Sequence, residues 1–167
     1  GNDMSSKEDY LSKIRPRFEN NFEIAENAAS GERPLAMTAR CEVVSGRTFI
    51  TPQDIIDKFE LNETCYFYCC EELTPQFLLF IYEKLRSEAE SFRPESAEHM
   101  STTFTCIFIC DRVTEEAAIM IKKHVFRKYY AFALKGWCDI RLIAVSVEDG
   151  QIFACRRAKP LRKVLTI

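Results

Sequence analysis

The residues best suited to chemistry lie in one short run, Trp137-Cys138-Asp139-Ile140-Arg141. Successive side chains of a strand point to opposite faces, so Asp139 and Arg141 share one face. Charges beside an apolar face must be compensated, because removing them from water costs free energy. A structural interpretation is that Asp139 accepts hydrogen bonds from backbone amides of the turn and Arg141 pairs with a carboxylate. The functional interpretation is that Arg141 binds an anion bidentately and Trp137 forms an aromatic wall beside it.

A second candidate group, Glu98-His99-Met100-Ser101, comes just before an expected strand. Histidine can act as a general base near neutral pH. One hypothesis is therefore an enzyme for a small anionic substrate, with His99 as acid/base and Arg141 as anion clamp. It requires the two groups to lie around one pocket; the structural alternative is a hydrogen-bonded His99. His124 follows two lysines at the end of an expected helix and is predicted to be a helix-terminal cation.

Eight cysteines raise the question of disulfides or zinc. Most lie in apolar, strand-like runs such as CYFYCC and TCIFIC, where a thiol packs as a small hydrophobic group. No CxxC pair occurs, and Cys65 and Cys69 in a strand would lie about 13 Å apart, too far for one zinc ion. We expect buried reduced thiols, with no metal and no cofactor. Cys155 is the exception to watch, because the adjacent Arg156 and Arg157 favour a thiolate.

Several common chemistries are excluded by residue spacing. The five glycines are too far apart to form a dinucleotide fingerprint or a phosphate loop. No serine lies in a GxSxG elbow, and two histidines cannot form a three-histidine zinc site.

Charge is distributed unevenly along the chain. Residues 1–100 carry 11 basic and 19 acidic side chains, whereas residues 101–167 carry 12 and 6. The two halves either pair with each other or leave the basic half for an anionic partner. The segment 156–163 contains five basic residues. Together with Lys122, Lys123, Arg127 and Lys128, they could neutralise phosphates in a nucleic-acid accessory protein. The alternative is a solvated basic strand edge that discourages aggregation.

The elements that must position these residues follow from local signals. Cap residues predict helix starts at Ser6, Thr51-Pro52, Thr74-Pro75 and Thr114, and the helix 75–91 is the longest. Strands are predicted at 20–26, 36–44, 47–50, 63–70, 102–111, 125–134, 139–148 and 151–157. Turns are predicted at Ser45-Gly46, Lys135-Gly136-Trp137 and Glu148-Asp149-Gly150.

These elements predict an α+β fold. Residues 1–167 form a single domain with a mixed, largely antiparallel sheet, helices packed on it, and a three-stranded meander at the end. Strands 63–70 and 102–111 are apolar on both faces, which is typical of central strands covered by helices, and the helix between them allows a parallel crossover. Residues 1–5 are expected to be disordered or a cloning remnant. The chain lacks an apolar signal segment, so we expect a cytoplasmic protein.

The GWCDIRLIAV run and the EHMSTT entry into a strand are similar to a small family of uncharacterised bacterial proteins of Firmicute type. The resemblance extends over nearly the whole chain. It implies a bacterial cytoplasmic globular protein and no assigned activity, so it gives no catalytic role to any residue.

The leading functional hypothesis is a non-enzymatic ligand-binding or self-associating module, with a homodimer as one form. Its predicted ligand-binding residues are Glu98, His99, Trp137, Asp139 and Arg141. The enzyme and the nucleic-acid accessory protein are the alternatives, and no membrane partner is expected.

Overall fold

The computed structural model describes residues 6–19, 23–26, 29–30, 33–42, 62–91, 102–129 and 137–167. The helices are α1 (Ser6–Glu19), α2 (Pro75–Ser91), α3 (Glu115–Lys123), a 3-10 helix (Arg156–Leu161) and α4 (Arg162–Leu165). The strands are β1 (Glu23–Glu26), β2 (Ala29–Ser30), β3 (Arg33–Glu42), β4 (Asn62–Leu73), β5 (Thr102–Val113), β6 (Arg127–Tyr129), β7 (Trp137–Ser146) and β8 (Gln151–Ala154).

The described strands join one mixed sheet with the order β1-β3-β4-β5-β7-β6, to which β2 adds at β3 and β8 adds at β7. The two central pairings, β4 with β5 and β5 with β7, are parallel. The other five described pairings are antiparallel. The α+β class and the mixed sheet are therefore confirmed, and so is the parallel crossover from β4 through α2 to β5.

Helices cover both faces of the central strands. On one face, α1, the 3-10 helix and α4 pack on the odd-numbered side chains, including Phe67, Ile107 and Ile143. On the other face, α2 and α3 pack on the even-numbered ones, including Phe108 and Leu142. Residues 102–110 of β5 are all buried, as expected for a strand that is apolar on both sides.

Local capping explains where α2 and α3 begin. Thr74 Oγ1 accepts a hydrogen bond from the Phe77 amide at 3.2 Å, and Pro75 occupies the first helical position. Thr114 Oγ1 accepts from the Ala117 amide at 3.1 Å in the same way. Both helix starts were predicted from these threonines, and both predictions are confirmed.

The outer edge of β7 is shared by two short strands. β6 pairs with residues 137–139 and β8 with residues 143–146, so both antiparallel partners of the predicted meander are present. Between them, His124 Nε2 bonds the Ile140 carbonyl at 2.8 Å, and Cys155 Sγ accepts from the Leu142 amide at 3.3 Å. Side chains thus satisfy backbone groups that a strand would otherwise pair.

Three sequence predictions are corrected here. The strand predicted over 151–157 ends at Ala154, and the basic tail lies in the 3-10 helix and α4 rather than on a strand edge. The reason is packing: Ala158 and Leu165 are buried against α1, whose Tyr10 hydroxyl donates to the Leu165 carbonyl. His124 does lie at a helix end, but burial lowers its pKa, so the predicted cation is wrong.

Other predictions concern parts of the chain outside the described residues. These are the state of residues 1–5, the strand 47–50, the Ser45-Gly46 turn, the Thr51-Pro52 helix start and residues 135–136 of the second turn. The turn at Glu148-Asp149-Gly150 is present, and Gly150 adopts φ +74°, a conformation that glycine reaches without a steric penalty. In the described part of the chain, no helix combines the length and apolar character needed to span a bilayer.

The environment of His124 predicts a pH dependence of stability. Its ring packs edge-on against Tyr82 at 5.0 Å, and burial lowers its pKa despite the bond to the Ile140 carbonyl. The unfolded chain therefore binds a proton more readily, so the free energy of unfolding should fall as pH drops below about 6.5 and level off once the folded-state pKa is passed. Urea unfolding of wild type and His124→Gln across this range measures the difference.

His99 is present in both proteins, so only the difference between them reports on His124. If the free energies of unfolding of wild type and His124→Gln depended equally on pH above the range where carboxylates titrate, His124 would not be the group responsible.

Candidate functional site

The candidate site lies at the amino-terminal ends of the three parallel strands. The register pairs Glu63 of β4 with Thr103 of β5, and Thr103 with Asp139 of β7. The next row on the same face pairs Cys65 with Thr105, and Thr105 with Arg141. Polar side chains therefore replace apolar ones in two consecutive rows of a face that is otherwise packed against helices.

Arg141 is held at several points. Its Nη2 donates to Glu63 Oε2, its Nε donates to Thr105 Oγ1 at 3.1 Å, and its Nη1 donates to the Arg157 carbonyl at 3.0 Å. The Arg141 side chain is 8% exposed and that of Glu63 is 16% exposed. Thr105 also donates to Glu63 Oε2 at 3.0 Å. The structural interpretation of Arg141, a pair with a carboxylate, is what the structure shows.

Asp139 forms the second half of the site. Its two carboxylate oxygens accept bidentately from Arg127 of β6, and Arg157 Nη1 approaches Oδ1 at 3.5 Å. Burial by itself would lower the pKa of Arg127. The hydrogen bond to Asp139 and the negative charge of Asp139 outweigh this effect, so the pKa of Arg127 is raised. The Arg127 guanidinium also lies 4.4 Å from the centre of the Trp137 ring, which orients the indole. Asp139 therefore pairs with arginines, and not with turn amides as the structural interpretation supposed.

Two buried polar atoms in this region have no hydrogen-bond partner. They are Thr103 Oγ1 and Trp137 Nε1, and Thr103 is fully buried. Thr103 stands between Glu63 and Asp139 in one row, and Trp137 precedes Asp139 by two residues on the same face. A buried polar group without a partner costs about 1–3 kcal/mol, so it calls for a physical explanation.

The structure brings together three of the five residues predicted for ligand binding. Trp137, Asp139 and Arg141 lie at the start of β7, whereas Glu98 and His99 are outside the described residues. Thr102 pairs with Cys138, so the chain enters β5 and β7 at the same end of the sheet.

Sequence reasoning missed Glu63, Thr103 and Thr105 as members of the site. Their contacts depend on the register between strands far apart in the chain, which no local pattern reveals. Arg127 and Arg157 were recognised only as basic residues. The sequence did contain one signal for Glu63, Thr103 and Thr105, because each is a polar residue at an inward-facing position of an otherwise apolar strand.

The cysteines lie within the two apolar layers as their alternation predicted, with Cys65 and Cys69 on one face and Cys106 and Cys110 on the other. Burial raises the pKa of Cys69 to about 11 and also raises that of Cys106. A hydrogen bond from Cys70, at 3.4 Å between sulfurs, and burial raise the pKa of Cys110.

These thiols are therefore protonated at neutral pH. The seven cysteines from Cys65 to Cys155 form no disulfide, and no group of three or more His, Cys, Asp or Glu side chains in the described ranges is arranged to hold a metal ion.

One family model, described as "Domain of unknown function (DUF8052)", matches residues 6–167. No curated protein and no solved structure matches the chain. The family match confirms the expectation, based on the GWCDIRLIAV and EHMSTT runs, of a family without an assigned function. The bacterial origin that the resemblance implied stays a prediction.

The Glu63–Arg141 pair should contribute strongly to stability. In Glu63→Gln, the buried Arg141 loses the negative charge that Glu63 supplies, and we expect the free energy of unfolding to fall by about 3 kcal/mol. Urea unfolding at neutral pH measures this loss.

Glu72→Gln is the matched control. Glu72 of β4 pairs with Arg112 of the neighbouring strand β5 at 3.6 Å, but both side chains are nearly half exposed, so its loss should cost less than about 1 kcal/mol. The double variant Glu63→Leu, Arg141→Met should recover much of the stability lost in Glu63→Gln. Equal, small losses in the two single variants would mean that the buried pair is not structurally important.

Proposed function

We propose that this chain, which belongs to the family described as "Domain of unknown function (DUF8052)", is a non-enzymatic ligand-binding module. The proposed site is the polar cluster at the amino-terminal ends of β4, β5 and β7. The observation that carries the proposal is the pair of buried, unpartnered polar atoms, Thr103 Oγ1 and Trp137 Nε1.

The arrangement favours binding because a folded protein seldom leaves buried polar groups unsatisfied. Around Thr103 and Trp137, the charged side chains are already paired with one another, through Glu63 with Arg141 and Asp139 with Arg127. A molecule that supplies hydrogen-bond partners to the two remaining groups would complete the network. Such a molecule would bind the native state alone and so stabilise it.

The same pairing favours binding over proton transfer. Both carboxylate oxygens of Asp139 and Oε2 of Glu63 are engaged by guanidinium groups that hold them in place. A general base needs a lone pair within hydrogen-bond reach of the reacting proton. Carboxylates engaged in this way are better suited to positioning arginines than to exchanging protons.

An enzyme for a small anionic substrate, with His99 and Arg141, is the second candidate. It is favoured by the pairing of Thr102 with Cys138, since the first described residue of β5 lies beside the start of β7. In this alternative Arg141 would act through the Thr105 and Glu63 contacts that orient it.

The nucleic-acid alternative has less support from the geometry. Lys122 and Lys123 end α3 on one face of the sheet, whereas the cations of 156–163 lie in helices on the opposite face. A single basic surface that follows a phosphate backbone would require these groups to lie side by side.

A thermal-shift screen against metabolites tests the binding proposal. We expect at least one compound to raise the melting temperature; at a hundredfold excess over its dissociation constant the gain is about 2.7 kcal/mol, which corresponds to roughly 5–10 °C for a chain of this size. Thr103→Val and Trp137→Phe should each abolish or strongly reduce the shift, because each removes one unpartnered group.

Ile119→Ala is the control for this screen. Ile119 lies on the far side of the sheet, on α3, and is 44% exposed, so its removal should leave the shift unchanged. A shift that survives both site variants and disappears in Ile119→Ala would place the ligand elsewhere and contradict the proposal.

Self-association is the other part of the proposed module. Leu79 and Phe80 of α2 are 47% and 46% exposed and line an open groove with Tyr66 and Tyr68. Large exposed apolar side chains that lie together are typical of interaction surfaces. We also propose a cytoplasmic location, supported by buried cysteines of high pKa, which suit a reducing compartment.

The groove predicts a specific change in mass. If two copies associate through it, wild type should sediment as a dimer and Phe80→Glu as a 19.4 kDa monomer, because a charge in an apolar contact is costly. Ile119→Glu is the matched control, because Ile119 is 44% exposed on α3 and does not line the groove, so this variant should sediment as wild type does. A wild-type monomer at all concentrations would rule out this surface as a homodimer contact.

A further inference from the structure

We infer that the ligand of this site is a small organic anion bearing a carboxylate or a phosphate, and that Arg157 binds its charge. The inference rests on the proposed function and adds the chemical class of the ligand and the residue that recognises it. Three observations carry it: the charge balance of the cluster, the type of the unpartnered groups, and the exposure of Arg157.

Among the described residues, the cluster has an excess of one positive charge. Its charged groups there are the guanidinium groups of Arg127, Arg141 and Arg157 and the carboxylates of Glu63 and Asp139. A net positive charge in a poorly hydrated position favours the binding of an anion. A ligand with one negative charge would make the whole set neutral.

The unpartnered groups require acceptors. The indole N–H of Trp137 can only donate, and the Thr103 hydroxyl can donate as well. A metal ion or an ammonium group offers no acceptor and would be repelled by the arginines. Carboxylate and phosphate oxygens accept several hydrogen bonds at once and pair with guanidinium groups, so they meet both requirements.

The spacing suits a small anion. Thr103 and Asp139 are paired on neighbouring strands, which lie about 4.8 Å apart, and Trp137 is two residues from Asp139, or about 7 Å along the strand. Arg157 Nη1 lies 3.5 Å from Asp139 Oδ1, so the Arg157 guanidinium reaches the row that contains Thr103 and Asp139.

Arg157 is the residue that a ligand meets first. Its side chain is 43% exposed, compared with 17% for Arg127 and 8% for Arg141. Its 3.5 Å contact with Asp139 is also much longer than the bidentate contacts of Arg127, the longer of which is 2.5 Å. The Arg157 guanidinium can therefore turn toward an incoming anion without breaking the paired network.

Titration calorimetry with named probes tests the inference. The probes are inorganic phosphate, citrate and a nucleoside monophosphate, each compared at matched ionic strength with sodium chloride, glycerol and the free nucleoside. We expect binding of a phosphate- or carboxylate-bearing probe and none of its neutral counterpart. The probe that binds identifies whether phosphate or carboxylate is preferred.

Arg157→Gln should weaken anion binding by about ten- to a hundredfold, the loss expected for a hydrogen bond to a charged group. Arg156→Gln is the matched control, because Arg156 is an exposed neighbour in the same 3-10 helix, and binding should be unchanged. Equal weakening by both variants would indicate general attraction of anions to a basic surface and would overturn the inference.

Thr103→Val supplies a readout independent of Arg157. It should abolish anion binding while leaving the ligand-free protein as stable as wild type or more so, because it replaces an unsatisfied hydroxyl by a methyl group of similar shape. Loss of stability in the ligand-free variant would show that the hydroxyl is already satisfied and would overturn the inference.

The two proposals fail in different ways. If a neutral compound binds, and Thr103→Val removes that binding, the ligand-binding module stands and the anionic ligand is wrong. If no compound binds in a manner sensitive to Thr103→Val and Trp137→Phe, both are wrong.

Discussion

The architecture depends on the parallel pairing of one strand, β5, with β4 on one side and β7 on the other. Residues 102–110 of this strand are buried on both faces, so each face must be covered by helices. The two ends of the described chain supply one layer, through α1 and the C-terminal helices, and the crossover helices α2 and α3 supply the other. The parallel register also places Glu63, Thr103 and Asp139 in one row, which creates the candidate site.

Ligand sites of open α/β sheets usually lie at the carboxyl ends of the parallel strands. Here the described charged pairs at that end are more exposed: Lys7 and Asp111 are 20% and 24% exposed, and Arg112 and Glu72 are 47% and 45% exposed. A pair as exposed as Arg112 with Glu72 is hydrated and contributes little to stability. The buried charges and the unpartnered polar atoms lie at the opposite, amino-terminal ends, and this difference in hydration is the physical reason for locating the site there.

Local features of the fold could be predicted from the sequence because their causes are local. Thr74 and Thr114 cap helices with their own hydroxyl groups, and the alternation of Cys65, Phe67 and Cys69 follows from strand geometry. Prediction failed where a distant contact decided the conformation. The basic segment after Ala154 leaves the sheet because Ala158 and Leu165 pack on α1, some 140 residues earlier in the chain.

The residues of the candidate site also separate into those that local sequence identifies and those that distant contacts decide. Trp137, Asp139 and Arg141 were identified from one strand, since alternation places charges on one face without any knowledge of the fold. The sequence by itself thus determined the α+β class, the helix starts, the two-sided apolar strands and one edge of the site.

Only the tertiary structure decided that Arg141 is held by Glu63, that Asp139 is held by Arg127, and that Thr103 stands unpartnered between the carboxylates. Strand register joins residues that lie up to about 80 positions apart, and the hydrophobic pattern specifies which face a residue occupies but not which partner it meets.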